Sequence, residues 1–109
     1  MEKLIERGLL FDYYGGLLSE KNKRIYEACA VDDMSLAEIA DEMGISRQAV
    51  SETLKRIDTK LQGYEKELQL IQKTDSIEKH IGEIRKAISK NDIDRTKIED
   101  ILDKIDEAL

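Results

Sequence analysis

Seven side chains able to recognise a polyanion or a base edge are gathered in eleven residues: Ser46, Arg47, Gln48, Ser51, Glu52, Lys55 and Arg56. From Arg47 onward they are spaced by one, three, one, three and one. On a helix this spacing makes two adjoining rows on one side, Arg47–Ser51–Lys55 and Gln48–Glu52–Arg56. Arg and Gln present paired hydrogen-bonding groups that match purine edges in a major groove. Lys and Arg neutralise phosphates and set register without reading sequence. Such a set binds; it does not make or break bonds. Groups for catalysis are scarce, with one histidine, His80 beside Lys79, and one cysteine, Cys29 on an apolar helix face. Neither Cys-x-x-Cys nor His-Glu-x-x-His occurs, so no zinc, redox or other cofactor site is expected. Cys29 is expected to be a small buried hydrophobe and His80 a surface side chain. Asp103 and Asp106, one helical turn apart, fit a charged amphipathic face. The expectation is a protein that is not an enzyme.

The elements that must position those residues are legible around them. Ser35 suits an N-cap, with Glu38 three residues on to complete a capping box. Leu36, Ile39, Ala40 and Met43 then recur as one face of a short helix. Gly44 stands where a helix ends in a left-handed residue, and Ile45 gives the turn an apolar anchor. Ser46 can cap a second helix whose inner face is Ala49, Val50, Leu54 and Ile57. Small Ala40 and Ala49 allow close crossing. Residues 35–54 therefore read as a helix-turn-helix, in which the outer face of the second helix meets the major groove.

The rest of the chain is also helical by pattern. It has 109 residues, no proline, no tryptophan and 39% charged residues, and strand formers never gather into alternating runs. Residues 2–18 read as a first helix carrying Leu4, Ile5, Leu9, Leu10, Phe11, Tyr14, Leu17 and Leu18 toward a core. Gly15-Gly16 inside it suits close packing or a bend better than a phosphate-cradling loop, because no strand or Lys-Ser/Thr accompanies it. Ser19 opens a second helix with an Ile25, Tyr26 and Cys29 inner face. Lys21, Lys23 and Arg24 lie on or near its outer side, as a solvated face or as phosphate contacts. Asp32-Asp33 leads out of it, as a loop rather than a metal site.

Beyond the motif, Val50, Leu54, Ile57, Leu61, Tyr64, Leu68 and Ile71 continue one stripe at alternating spacings of four and three. The second helix is thus expected to extend well past the motif, with Gly63 its weak point and a break at Lys73-Thr74-Asp75-Ser76. Asp75 can cap a following helix with Ile77, Ile81, Ile84 and Ile88. After an Asn91-Asp92 turn, Asp94 can cap a last one with Ile98, Ile101, Leu102, Ile105 and Leu109. The expected organisation is a domain over 1–73 and a helical hairpin over 74–109. The long helix and the hairpin carry more apolar seam than one small core covers, so the hairpin is expected either to pack on the long helix of its own chain or to pair across a homodimer formed through both.

Charge tempers the recognition reading. The net charge is −6, whereas strong phosphate binding favours a basic footprint. Residues 47–73 nevertheless hold six Lys/Arg against four acids, while residues 75–109 hold seven against ten. A weakly basic face on an acidic protein implies modest, salt-sensitive affinity or a need for dimerisation. The apolar runs are too short and interrupted to span a membrane, and no signal-peptide pattern opens the chain. With a single cysteine, the expected location is the cytoplasm.

Several stretches together resemble a known family. Leu10-Phe11-Asp12-Tyr13-Tyr14-Gly15, Leu17-Leu18-Ser19, Asp32 to Ala40, and Ile45-Ser46-Arg47-Gln48-Ala49-Val50 look like the YlxM proteins. These are small helix-turn-helix proteins of Gram-positive bacteria. Lys55-Arg56 and Tyr64 to Leu68 extend the likeness to about residues 7–71, and the hairpin matches poorly. The motif also looks like the promoter-reading fourth region of sigma factors. The resemblance implies an all-α, cytoplasmic, DNA-binding (or RNA-binding) protein encoded beside signal-recognition-particle components, with an inferred regulatory role in that pathway. The alternative is a protein-interaction module that docks a signal-recognition-particle component and keeps its helix-turn-helix for structure.

Overall fold

The computed structural model describes residues 3–109, and every regular element among them is helical. The order is α1 (Lys3–Tyr14), a 3₁₀ turn (Gly15–Leu17), α2 (Glu20–Ala30), α3 (Leu36–Met43), α4 (Arg47–Leu68), α5 (Leu70–Ser89) and α6 (Arg95–Ala108). The chain divides into two compact units at Leu68/Gln69.

Most helix starts follow the caps read from sequence. Ser19 Oγ accepts from the Asn22 amide at 3.2 Å. Ser35 and Glu38 form the reciprocal capping box, with bonds of 3.1 and 3.0 Å. Gly44 ends α3 at φ +68°, the left-handed geometry that a side chain would disfavour. Ser46 Oγ accepts from the Ala49 amide at 3.0 Å, and Asp94 Oδ1 accepts from Thr96 and Lys97.

Several expectations are corrected. The first helix does not run to residue 18: it tightens into the 3₁₀ turn at Gly15, while Met1 and Glu2 lie outside the described residues. A Cβ on Gly15 would sit 2.7 Å from the Phe11 ring, so close packing explains this glycine. Leu4, Ile5 and Leu17, expected in the core, are exposed. The break after α4 falls at Gln69, which adopts φ +54°, not at Lys73–Ser76. Asp75 therefore caps nothing; it lies inside α5. Leu70, Ile77 and Ile84, seven residues apart, carry one apolar row straight through the expected break. Lys, Thr, Asp and Ser each cost a helix only a few tenths of a kcal/mol, about 0.7 at most, so without Gly or Pro they do not stop it. Gly63 is likewise passed without interruption. The unit boundary moves accordingly, from the expected 73/74 to 68/69.

In the N-terminal unit α4 packs on α1, α2 and α3. Leu10, Tyr14, Leu18, Ile25, Tyr26, Ile39, Ala40, Val50, Leu54, Ile57 and Leu61 are buried. Among them runs a polar connection that periodicity did not reveal. Asp58 is buried, and its carboxylate takes a forked pair of bonds from Arg7 Nε and Nη2, at 3.0 and 2.7 Å. Tyr26 Oη donates to Asp58 Oδ1 at 2.8 Å, and Arg7 Nη1 reaches Cys29 Sγ at 3.5 Å. The bond to Asp58 raises the Arg7 pKa, and burial followed by the same carboxylate raises that of the Tyr26 phenol. A satisfied ion pair of this kind pins α1, α2 and α4 in one arrangement. The Tyr14 hydroxyl also bonds to Glu65, tying the end of α1 to the far part of α4.

The C-terminal unit is α5 packed along α6. Asn91, at φ +56°, turns the chain between them. Ile101 is its one buried apolar residue among those described. His80 is partly covered, with its Nδ1 3.3 Å from Glu83, and is not the open surface residue that its neighbours suggested.

Candidate nucleic-acid interface

The face proposed by spacing exists as a surface. Arg47 and Gln48 occupy the first turn of α4 and are exposed, as are Glu52, Lys55 and Arg56. The apolar side of the same helix explains this orientation. Val50, Leu54 and Ile57 are buried, so the rows opposite them must face water. Ser46 is exposed but already engaged through its hydroxyl as the cap. Its contribution is to fix where the first turn begins.

The remaining residues are less uniform. Gln48 Nε2 donates to Glu52 Oε1 at 3.4 Å, so one carboxylate holds the amide most suited to an adenine edge. Arg56 Nη2 donates to Thr53 Oγ1 at 3.1 Å, which leaves its charge unneutralised. Arg47 and Lys55 have no ion-pair partner among the described residues. Ser51 is half-buried and lines a groove with Lys55 and Leu54 of α4, Ser35 and Leu36 at the start of α3, and Lys3 and Arg7 of α1. Lys3 and Arg7 were not anticipated there. Their i, i+4 spacing on the first helix is the only sequence signal, and it does not say which neighbour they meet.

Of the three cations of α2, Arg24 is the one whose surroundings weaken a role in phosphate contact. Arg24 shares a surface cavity with Glu27, Asp32 and Glu42, so it stands among carboxylates. The capping-box carboxylate of Glu38 is held below its ordinary range, first by the Ser35 amide and then by the Ser35 hydroxyl. It remains ionised in front of α3.

The geometry can position hydrogen-bond donors and two or three uncompensated cations beside a duplex. Among the described residues no group of three or more His, Cys, Asp or Glu is placed to hold a metal ion. No helix among them is long and apolar enough to cross a membrane.

Comparison with known proteins agrees with the motif and extends it. Residues 1–105 match the family described as "Putative helix-turn-helix protein, YlxM / p13 like". The match takes in most of the hairpin, which was expected to lie outside the resemblance. A UPF0122 protein of Shouchella clausii is 38% identical over 91 residues, 84% of each chain. A UPF0122 protein of Bacillus cereus is 32% identical over 106 residues, covering 97% of this chain and 96% of the relative. One of Bacillus anthracis is similar to the same degree. With a helix-turn-helix in place and a match along nearly its whole length, the chain belongs to the YlxM/p13-like family.

Proposed function

We propose that this protein is a DNA-binding transcriptional regulator that acts as a cytoplasmic homodimer, with a role in the signal-recognition-particle pathway. The observation that carries the reading is the solvent-facing start of α4, where Arg47, Gln48 and Lys55 stand in the position of a recognition helix. Arg47 and Gln48 meet base edges. Ser51 meets a base or phosphate, and Lys55 and Arg56 take the backbone. Glu52 must release Gln48 first, or accept from a cytosine amine itself. Two such helices on one duplex face lie ~34 Å apart, or a multiple of that. The link to the pathway rests on family resemblance.

The test is binding to a pool of genomic fragments across a salt series. Each lost phosphate contact lowers the slope of log affinity on log salt by about one. An Arg47→Ala/Lys55→Ala double variant is expected to bind more weakly, with relaxed sequence preference from Arg47 and a slope reduced by about one from Lys55. Equal binding by wild type and variant at every salt concentration removes the reading.

The net charge of −6 favours a second reading, a module that docks a signal-recognition-particle component and retains the helix-turn-helix as scaffold. Under it, a pull-down recovers such a component, and no DNA fragment is selectively retained.

A further inference from the structure

Residues 69–109 make two helices with two apolar rows each, and only one row of each is covered. On α5, Ile77, His80, Ile84 and Ala87 are half-buried. On α6, Ile98, Ile105 and Ala108 are half-buried and Ile101 is buried. Both sets are spaced three, four, three, as in the seam of a helix pair. Four residues beyond Ile77 and Ile84 come Ile81 and Ile88, 40% and 58% exposed; four beyond Ile98 and Ile105 come Leu102 and Leu109, 48% and 80% exposed. Glu83, Lys86 and Lys90 share a surface groove with Lys97 and Ile101, which places the start of α6 beside the end of α5 and makes the pair antiparallel. In an antiparallel pair, equivalent positions on the two helices flank the seam on the same side. The four exposed residues therefore form one apolar face, and Glu83, Lys90, Lys97 and Lys104 lie on the opposite, polar side. A helix with two adjoining apolar rows is the pattern of a bundle core, not of a two-stranded pair.

We propose that this face is where a second copy of the chain docks, closing an antiparallel four-helix bundle in which α5 of each copy lies against α6 of the other. Charge selects the occupant and the arrangement. Residues 69–90 hold five basic and three acidic side chains, and residues 91–109 hold three basic and seven acidic. Two hairpins can stack with like helices facing or with unlike helices facing. Only the second sets the basic half of each copy against the acidic half of its partner. That stacking has its twofold axis parallel to the helices. It puts both Gln69 residues at one end of the bundle and Ile81 level with Leu102 of the partner chain. The apolar stripe of α4, expected to share in pairing, is already buried from Val50 to Leu61. Beyond Leu61 only Leu68 of that stripe is exposed, so the larger uncovered apolar face is the hairpin's, and the pairing is placed there. Its existence is independent of DNA binding; only its use in presenting two recognition helices rests on the function proposed above.

The test uses the full chain without nucleic acid. Sedimentation is expected to give twice the chain mass of 12.5 kDa, falling to one chain mass for Ile81→Glu/Leu102→Glu with helical circular dichroism retained. Because that variant can unfold instead, a second measurement fixes both partner and arrangement. Chains carrying Cys29→Ser with Ile81→Cys are mixed with tagged chains carrying Cys29→Ser with Leu102→Cys and oxidised. The expected product is the mixed disulfide, with little product from either chain alone. A wild type that sediments as a monomer at all concentrations, or an Ile81→Cys chain that cross-links mainly to itself, overturns the proposal. A dimer that binds no DNA upholds the pairing and removes the DNA reading; a monomer that binds DNA does the reverse.

Discussion

The two units of this chain are built from similar helices and differ in what they do with their apolar residues. Among the described residues of the N-terminal unit eleven apolar side chains are buried, and the charged group that joins them, Asp58, is fully partnered. In the hairpin one is buried and Ile81, Ile88, Leu102 and Leu109 face outward. Three short helices around a long one enclose a core, whereas two helices side by side can cover only the row between them. A stripe of equal strength in sequence thus means core in one unit and an uncovered apolar row in the other. The helix-turn-helix unit encloses its apolar side chains, and the hairpin leaves one row of each helix exposed.

The largest effect expected from breaking this contrast is at Asp58. Asp58→Ala leaves the Arg7 guanidinium, 14% exposed, without its counter-ion. Breaking a buried pair from one side costs ~3–5 kcal/mol, and the residual exposure here argues for the lower end. Chemical denaturation should show it, with the midpoint for the N-terminal unit falling sharply. In comparison, Arg95→Ala removes a 4.0 Å contact to Glu99 at an exposed site, 94% for the Arg side chain. Its cost should be under ~0.5 kcal/mol. Comparable losses at the two sites would mean that Asp58 is not the tie described here.

Truncating apolar residues sharpens the same contrast. Leu54→Ala, in a fully packed position, should cost ~2–5 kcal/mol whatever the protein concentration. Leu102→Ala touches a residue that is half exposed within one chain. Its effect should be small in dilute solution and should grow with concentration if hairpins pair, because association adds stability by mass action. Thermal melts over a hundredfold concentration range separate the two behaviours. A concentration-independent loss at Leu102 would return that residue to the core of its own chain.

What could be read from sequence follows the same division. The caps at Ser19, Ser35, Ser46 and Asp94 and the left-handed Gly44 are local, set by a residue and its neighbours within four positions, so they were legible. The outward face of α4 was legible because its inward face is periodic. The Arg7–Asp58–Tyr26 cluster was not, since its members are 51 and 32 residues apart: Arg7 and Asp58 each look like ordinary surface residues, and the inner-face position of Tyr26 does not say that its hydroxyl meets a carboxylate. Gln69 was missed because a left-handed glutamine carries no composition signal, unlike glycine. The pairing of Gln48 with Glu52 follows from their i, i+4 spacing, yet spacing cannot say that they engage each other instead of a ligand.

Alkaline pH should act on the N-terminal unit through Tyr26. Its folded pKa is raised above the ordinary value of 10.0, by burial first and by the Asp58 carboxylate next. A group with a raised folded pKa contributes stability in full below its unfolded value and loses it as pH climbs toward the folded one. Unfolding free energy should therefore decline above pH 10 in the wild type and less steeply in Tyr26→Phe. The substitution itself should cost ~1–2 kcal/mol at neutral pH through the lost hydroxyl bond. A parallel alkaline decline in both proteins would show that the phenol ionises freely in the fold.

A slight pH-dependent effect should come from the cap of the helix-turn-helix, at the acid end. Glu38 is fully exposed, and its pKa lies below 4.5 because the ionised carboxylate accepts from the Ser35 amide. A depressed folded value means the contribution is complete above the unfolded pKa and is lost as pH falls through the folded one. Glu38→Gln keeps an acceptor for that amide but removes the titration. The variant should fall slightly behind the wild type near pH 7, and the gap should close as pH falls below 4.5 and through the lowered value. Ser35→Ala removes the other half of the box and should cost ~1 kcal/mol. Neither change reaches the hairpin, so sedimentation of both variants should remain that of the wild type. If Glu38→Gln altered the oligomer while leaving α3 intact, pairing would involve the helix-turn-helix, and the contrast between an enclosed unit and one with an uncovered row would fail.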